Sequence, residues 1–317
     1  MIEVEVVSKT SDAEDICLFE LARPDGAALP AFGAGAHIDV QLPNGLVRQY
    51  SLCNHPDESH RYEIGVLKDP SSRGGSRAMH EQVQAGDRLL ISEPRNHFPL
   101  AHHATRSLLF AGGIGVTPIL CMAERLAHTG GPFEMHYCTR SESRTAFRQR
   151  IAGSGFADRV QFHFDDGDEA QKLDARSLLA KQEPGTHLYV CGPKGFMDHV
   201  LETAEQLGWP AEQVHREYFA AVPISHDSDG PFEVQLGSSG QVLEIPANQS
   251  VLQVLMDHDI DIPYSCEDGV CGTCLTRVLE GEPDHRDFFM TPAEHAKNDQ
   301  FTPCCSRARS KRLVLDI

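Results

Sequence analysis

The chain has 317 residues, 40 % of them apolar and 26 of them glycine. That balance excludes disorder as the main state and, at roughly 150 residues per domain, points to two or three domains. Its 46 acidic residues outweigh 28 basic ones, and the resulting charge of −18 would repel a phosphate backbone, which argues against a nucleic-acid partner. The longest mostly apolar run, Leu108 to Ala123, is broken by Gly112, Gly113, Gly115 and Pro118 and falls short of the roughly 20 residues of a membrane helix. No secretion signal is recognised at Met1, so no membrane partner is expected and the cytoplasm is the default compartment.

Residues 1–102 read as short strands over 3–7, 16–21, 37–42, 48–52, 61–66 and 88–91, with turn signals such as Pro43-Asn44-Gly45 and one helix from about Ser76. Six strands at this spacing predict an antiparallel barrel or sandwich. From 103 to 222 the rhythm becomes strand then helix: strands over 108–111, 134–138, 160–164, 187–191 and 214–219, helices over 118–127, 144–151, 173–180 and 194–207. This alternation predicts a doubly wound parallel sheet that binds its ligand beyond the carboxyl ends of its strands. Residues 223–230 are polar and aperiodic, as a linker is. Residues 231–317 then show a hairpin over 232–236 and 241–245, a helix over 251–256 and a closing strand over 312–317.

In the first of these units, Arg48-Gln49-Tyr50-Ser51-Leu52 sets a cation, an aromatic ring and a hydroxyl close together. Arginine forks onto phosphate and an aromatic ring can pack on a flat heterocycle, yet taken alone the segment reads as an ordinary amphipathic strand. Arg73-Gly74-Gly75-Ser76 opens a helix whose N–H groups could meet the same phosphate. In the second unit a strand runs into Gly112-Gly113-Ile114-Gly115-Val116-Thr117-Pro118, with Thr117 placed as N-cap and Pro118 as first helical residue. Such a turn suits a pyrophosphate, which makes Gly113, Gly115 and Thr117 candidate contacts. A second strand end, Val190-Cys191-Gly192-Pro193, lies at the same edge, where a dinucleotide would cross. Arg140 and Arg144 follow the next strand, where a 2′-phosphate would want arginine; surface arginines explain them equally well.

The third unit holds Cys266, Cys271 and Cys274 in a C-x4-C-x2-C run, with Cys304 further on. This is the spacing of a plant-type 2Fe-2S site, and Gly269 and Gly272 would let the main chain approach the sulfurs. Zinc is the rival reading, weakened because its common patterns pair two short spacings and one C-x2-C is present. Cys305 adjoins Cys304; on a strand, adjacent side chains point to opposite faces, so one of the two would reach the iron.

These motifs carry a resemblance. Residues 231–317 resemble a plant-type ferredoxin, and Pro303-Cys304-Cys305-Ser306-Arg307 is similar to the Cys-Val-Ser-Arg of ferredoxin domains fused to oxygenase reductases, which implies Cys304 as fourth ligand. Gly-Gly-Ile-Gly-Val-Thr-Pro and Cys-Gly-Pro resemble the pyridine-nucleotide domain of the ferredoxin reductase superfamily, which implies Cys191, with Gly192 and Pro193, beside the nicotinamide. Arg-x-Tyr-Ser-Leu and Arg-Gly-Gly-Ser resemble its flavin segments, and Glu217-Tyr218-Phe219 the segment whose aromatic residue, here Phe219, lies near the flavin.

The order of the parts is that of the phthalate dioxygenase reductase and vanillate O-demethylase reductase group. This implies an antiparallel β-barrel FMN domain, an α/β NAD domain and an α+β β-grasp ferredoxin domain. It also implies NADH as donor, hydride transfer assisted by Ser51 and Cys191, and a Rieske-type oxygenase as acceptor. Asp284-His285-Arg286-Asp287 resembles a recurrent segment of these ferredoxin domains, although its residues are read first as a solvated charged loop. The competing functions are a reductase for a non-Rieske monooxygenase, a redox sensor that holds the cofactors without exporting electrons, and a zinc-stapled binding protein.

Overall fold

Alternation along the first residues buries Val4 and Val6 while Glu3 faces water, which makes a strand with one wet face. The computed structural model describes residues 1–72, 74–219 and 229–317; Arg73 and positions 223–228 of the expected linker lie outside the described residues. The first elements are β1 (Ile2–Ala13), β2 (Ile16–Ala22), β3 (His37–Gln41), β4 (Val47–Ser51), β5 (Tyr62–Leu67), α1 (Gly75–Gln82) and β6 (Arg88–Ile91). The strands form one antiparallel sheet ordered β4-β3-β6-β1-β2-β5. Its two edges meet, because Leu52 bridges Ile64 and the Cys53 amide donates to the Glu63 carbonyl at 2.9 Å. The sheet therefore closes into a barrel, which removes its exposed edges. Val4, Phe19, Leu21, Ile38, Val40 and Ile91 fill it.

Next come β7 (Arg106–Gly112), α2 (Val116–Thr129), β8 (Phe133–Thr139), α3 (Arg148–Ala152), β9 (Val160–Phe164), α4 (Ala175–Leu179), β10 (Thr186–Cys191), α5 (Lys194–Gln206) and β11 (Val214–Glu217). Their strands form a parallel sheet ordered β11-β10-β7-β8-β9. The order reverses between β7 and β10, and that switch point is where such sheets bind ligands.

Three local expectations are corrected here. The helix expected from residue 144 starts at Arg148, because residues 142–144 form a 3-10 turn and Phe147 adopts φ 59°. The last strand stops at Glu217 rather than Phe219. Thr117 does not cap α2: the N-cap is Gly115, Thr117 lies inside the first turn, and its hydroxyl donates to the Ile114 carbonyl at 3.1 Å.

Barrel and parallel sheet belong to one compact unit, Met1–Glu217. A continuous core runs from Ile16, Cys53 and Phe98 to Leu109, Val116 and Tyr189. Arg150 of α3 pins the junction: it pairs with Glu63 of β5, bonds Glu124 of α2 at 2.9 Å and reaches the Cys53 carbonyl at 3.1 Å. Removing one partner from such a half-buried triad leaves an uncompensated charge, at about 3–5 kcal/mol when burial is complete and less here.

The second unit is Tyr218–Ile317. It contains β12 (Phe232–Leu236), β13 (Val242–Ile245), α6 (Val251–Asp257), β14 (Thr276–Glu280), β15 (Pro283–Asp284), α7 (Pro292–His295), β16 (Gln300–Phe301), β17 (Arg307–Ala308) and β18 (Arg312–Leu315). The mixed sheet, ordered β13-β12-β18-β14-β16, wraps α6, which starts with a Ser250/Gln253 capping box. Val251, Leu252 and Leu255 of that helix pack on Val234, Ile245 and Leu313, the α+β arrangement expected of a ferredoxin unit.

Two more readings change. Residues 303–305 form a turn, not a strand, with the Cys305 and Ser306 amides both donating to the Thr302 carbonyl, so strand alternation does not separate Cys304 from Cys305. The 284–287 segment is not a solvated loop: the Asp287 side chain is buried, and Arg286 forks onto Asp229 at 2.6 and 2.9 Å. Among the described residues no helix is long and apolar enough to cross a membrane.

The parallel sheet carries a titratable liability. His215 stacks on Tyr189 at 4.6 Å between ring centroids, and burial, then His187 and His103, push its pKa down to about 4. Burial likewise pushes His136 down. Both fall below the roughly 6.5 of an unfolded histidine, so the stability they confer is present above pH 6.5 and is lost as pH falls towards 4. Calorimetry between pH 7 and 4.5 should show the melting temperature of the wild type dropping more steeply than that of H215Q. Parallel curves would contradict this origin.

Candidate functional site

The parallel sheet's switch point is built on glycines whose roles differ. At Gly115 a Cβ would lie 2.3 Å from the Cys191 carbonyl oxygen, and at Gly192 it would lie 2.8 Å from the Gly112 Cα. These two residues let the ends of β7 and β10 touch, and a methyl at either would wedge them apart. Gly113 has φ 52° and open space where a Cβ would go, so it offers bare backbone to a ligand. Pro193 is exposed at the N-cap of α5. The starts of α2 and α5 thus flank the crevice, and their N–H groups and dipoles favour a pyrophosphate. Thr117, by contrast, is 2 % exposed and packs against Gly65 of β5.

Beside that crevice the barrel contributes one side chain. The buried Ser51 hydroxyl, at the end of β4, donates to Glu217 Oε2 at 3.3 Å. Glu217 ends β11 and pairs in register with Cys191, the last residue of β10. Burial pushes the Glu217 carboxyl up to about 8, against the pull of the Ser51 hydrogen bond, so it keeps a proton at neutral pH. Burial, then Glu217, push the Cys191 thiol well above its usual value, which makes it an inert thiol rather than a nucleophile. Glu217 was missed as a site residue. Its position at the carboxyl end of a parallel strand was the available signal.

At the barrel's other feature, Arg48 lies across the start of α1. A Cβ on Gly75 would sit 2.7 Å from Arg48 Cγ and Nε, so glycine leaves the space the arginine occupies. Gly74, with φ 99°, is the N-cap, and its carbonyl accepts from Asn44 Nδ2 at 3.2 Å. The Ser76 hydroxyl accepts from the Asp69 amide at 3.2 Å. Arg48, whose Nη1 donates to the Val47 carbonyl at 2.7 Å, lies over the first turn of α1, and that pairing fits the phosphate of a flavin mononucleotide. Tyr50 packs partly into the barrel core. Phe219, 41 % exposed, belongs to the second unit.

In the second unit Cys266, Cys271, Cys274 and Cys304 are all buried and free of disulfides. Their sulfurs meet in pairs: Cys266 lies against Cys271 and Cys304, and Cys274 against Cys304. The amides of Asp268 and Thr273 point at the Cys266 and Cys271 sulfurs, each at 3.4 Å. Cys271 and Cys304 hold Cys266 well below the ordinary thiol range, while Cys266 and burial push Cys271 up and Cys266, Cys274 and Cys305 push Cys304 up. Converging thiolates with amide donors fit an anionic iron-sulfur cluster.

The tight approaches of Gly269 (φ 73°) and Gly272 (φ 67°) are to Cys305, Asp287 and Phe289 rather than to the four converging sulfurs. A Cβ would lie 2.4 Å from Cys305 Sγ at Gly269 and 2.4 Å from the Phe289 ring at Gly272. Cys305 therefore backs the loop, bonded to the Thr302 hydroxyl at 3.3 Å, while Cys304 joins the sulfur group.

Comparison with known proteins matches both units. Residues 234–309 match the 2Fe-2S iron-sulfur cluster binding domain, and residues 90–214 match the dimethylamine monooxygenase subunit DmmA-like N-terminal domain. The chain is 61 % identical over 318 residues to the vanillate O-demethylase oxidoreductase of Pseudomonas putida, with all of both chains covered. It is similar to phthalate dioxygenase reductase, described as a modular structure for electron transfer from pyridine nucleotides to 2Fe-2S, at 42 % identity and TM-score 0.77 over all of this chain and 98 % of that one. An intact type IV self-sufficient cytochrome P450 monooxygenase matches at 38 % identity and TM-score 0.88, over all of this chain and 41 % of that one.

The packing of Gly269 on Cys305 separates the two adjacent cysteines experimentally. C304S should lose the cluster, measured as iron and sulfide per chain and as the reduced-cluster EPR signal, while C305S should keep at least about half of it. Loss in C305S with retention in C304S would reverse the assignment.

Proposed function

The chain belongs to the family of vanillate O-demethylase oxidoreductases and phthalate dioxygenase reductases, and on that premise we propose that it carries electrons from NADH through FMN and a 2Fe-2S cluster to a Rieske-type oxygenase of the aromatic-acid dioxygenase or O-demethylase kind. Residues 1–102 form the flavin part, 103–222 the nicotinamide part and 231–317 the cluster part of this relay. The observation that carries the reading is the Ser51–Glu217 hydrogen bond beside Cys191, which brings the flavin motif to the nicotinamide crevice.

When bound, FMN would supply two-electron chemistry towards NADH and one-electron chemistry towards the cluster. Arg48, Gly74, Gly75 and Ser76 would hold the flavin phosphate, with Arg73 beside them in sequence, and Tyr50 would offer its ring to the flavin. Ser51 and Glu217 would meet the flavin together, the Glu217 carboxyl holding a proton against the Ser51 hydroxyl. Gly113 and the start of α5 at Gly192 and Pro193 take the NADH pyrophosphate, and Gly115 keeps the crevice narrow. The buried, protonated Cys191 gives the nicotinamide a dry wall without competing chemistry. Cys266, Cys271, Cys274 and Cys304 hold the cluster, and Glu267 and Asp268 on its loop give docking an acidic rim that steers a basic partner.

A second reading, a reductase for a haem monooxygenase, is favoured by the similarity to the self-sufficient cytochrome P450. Anaerobic NADH titration followed by visible and EPR spectroscopy should bleach a flavin band and then raise a reduced 2Fe-2S signal, with about one FMN released per chain on denaturation. NADH consumption should then couple to a purified Rieske-type oxygenase and not to a cytochrome P450. The opposite preference would establish the second reading, and an NADH-inert chain would leave neither.

A further inference from the structure

Behind the cluster loop, His285, Asp287 and His295 place one ligand atom each within 4.8 Å of the others. His285 and His295 stack at 4.4 Å between ring centroids, 14° from parallel. Asp287 Oδ1 lies 3.1 Å from His295 Nε2, close to the roughly 3.3 Å that separates two ligands of a tetrahedral ion with bonds of about 2.0–2.1 Å.

The remaining polar atoms of His285 and Asp287 are already committed in the way metal ligands usually are. His285 Nε2 bonds Asn298 Oδ1 at 3.1 Å, and a carbonyl oxygen there accepts, which places the ring proton on Nε2 and leaves the Nδ1 lone pair free. That Nδ1 is buried and has no hydrogen-bond partner. Asn298 holds its position at φ 53°, a left-handed conformation. Asp287 Oδ2 accepts from the Met290 amide at 2.7 Å, which orients Oδ1 towards His295. The Thr291 carbonyl accepts from the His295 amide at 2.9 Å, and the Glu294 carboxylate caps Thr291, so α7 presents His295 from a fixed turn.

We propose that His285 Nδ1, Asp287 Oδ1 and His295 Nε2 form a binding site for a zinc-like divalent cation, with water completing its coordination. Two imidazoles and one carboxylate suit zinc and its neighbours in the first transition row better than magnesium or calcium. Local charge agrees: Arg286, the nearest cation in sequence, points away into Asp229 and Asp284. The comparable surface group of His55, Asp57 and His128 lacks that advantage, since Arg125 lies 3.1 Å from the Asp57 carboxylate and would repel an ion.

The site also backs onto the cluster loop. The Phe288 amide donates to the Gly269 carbonyl at 2.9 Å, and the Asp287 Cα would lie 3.1 Å from a Cβ at Gly269. A bound dication would tie residues 285–298 together behind the Cys266–Cys274 loop and add positive charge there, which favours the reduced cluster.

Isothermal calorimetry with Zn2+ alone, on the flavin- and cluster-loaded full chain cleared of loose metal by mild chelation, tests this. Iron and sulfide are assayed before and after. One saturable site per chain is expected, with iron retained, weakened by at least about tenfold in H295Q and in H285Q and unchanged in H128Q, because losing a ligand should cost no less than losing an outer-shell partner. The proposal is overturned if the loaded chain shows no saturable binding, if binding displaces iron, if neither H295Q nor H285Q weakens it, or if H128Q abolishes it.

Discussion

The Ser51 hydroxyl and the Glu217 carboxyl meet where the mouth of a β-barrel faces the switch point of a parallel sheet, and the first unit is organised around keeping them there. The barrel closes through Leu52 and Cys53, the residues immediately after Ser51, so closure itself fixes where that hydroxyl points. Cys53 in turn gives its carbonyl to Arg150, whose guanidinium spans Glu63 of the barrel and Glu124 of the sheet's first helix. Gly115 and Gly192 draw β7 and β10 together on the other side. A displacement of about an ångström anywhere in this chain of contacts would separate two groups that the proposed hydride transfer needs side by side.

In the second unit the constraint is sulfur packing. Four buried sulfurs converge there, and the amides of Asp268 and Thr273 aimed at two of them suit an anionic cluster. The segment from Asp284 to Asp287 supports the loop from behind through Phe288 and Gly269, and anchors the incoming chain by the Arg286–Asp229 fork. Arg307 adds to that anchor: it is 5 % exposed, bonds the carbonyls of Gly230, Pro246 and Gln249, and approaches Asp229 at 3.5 Å. The same short segment therefore holds the cluster loop, the entry of the chain and the inferred cation site.

The barrel strands, the parallel sheet and the C-x4-C-x2-C loop were legible because each has a local signature: alternation, strand-helix rhythm and fixed spacing. What escaped was set by tertiary contact. Thr117 has the residue type of a cap, yet the close approach of Gly65 draws it inward and leaves capping to Gly115. Cys304 and Cys305 could not be told apart by alternation because that stretch is a turn organised by the Thr302 carbonyl. Asp284 to Asp287 looked solvated since its partner Asp229 is far off in sequence. Glu217 stood out only as a neighbour of Phe219 in the Glu217-Tyr218-Phe219 segment; its own place became visible once β11 was seen to end beside Cys191.

The account stands most directly on what Ser51 does. Single-turnover, stopped-flow reduction of bound flavin by NADH should be slower in S51A by about tenfold or more, the order expected when a hydrogen-bonding group is removed at a reacting centre. Flavin content and the EPR signal of the chemically reduced cluster should stay at wild-type levels. Wild-type flavin reduction by an S51A protein carrying its full flavin complement would contradict the claim that hydride crosses at this junction.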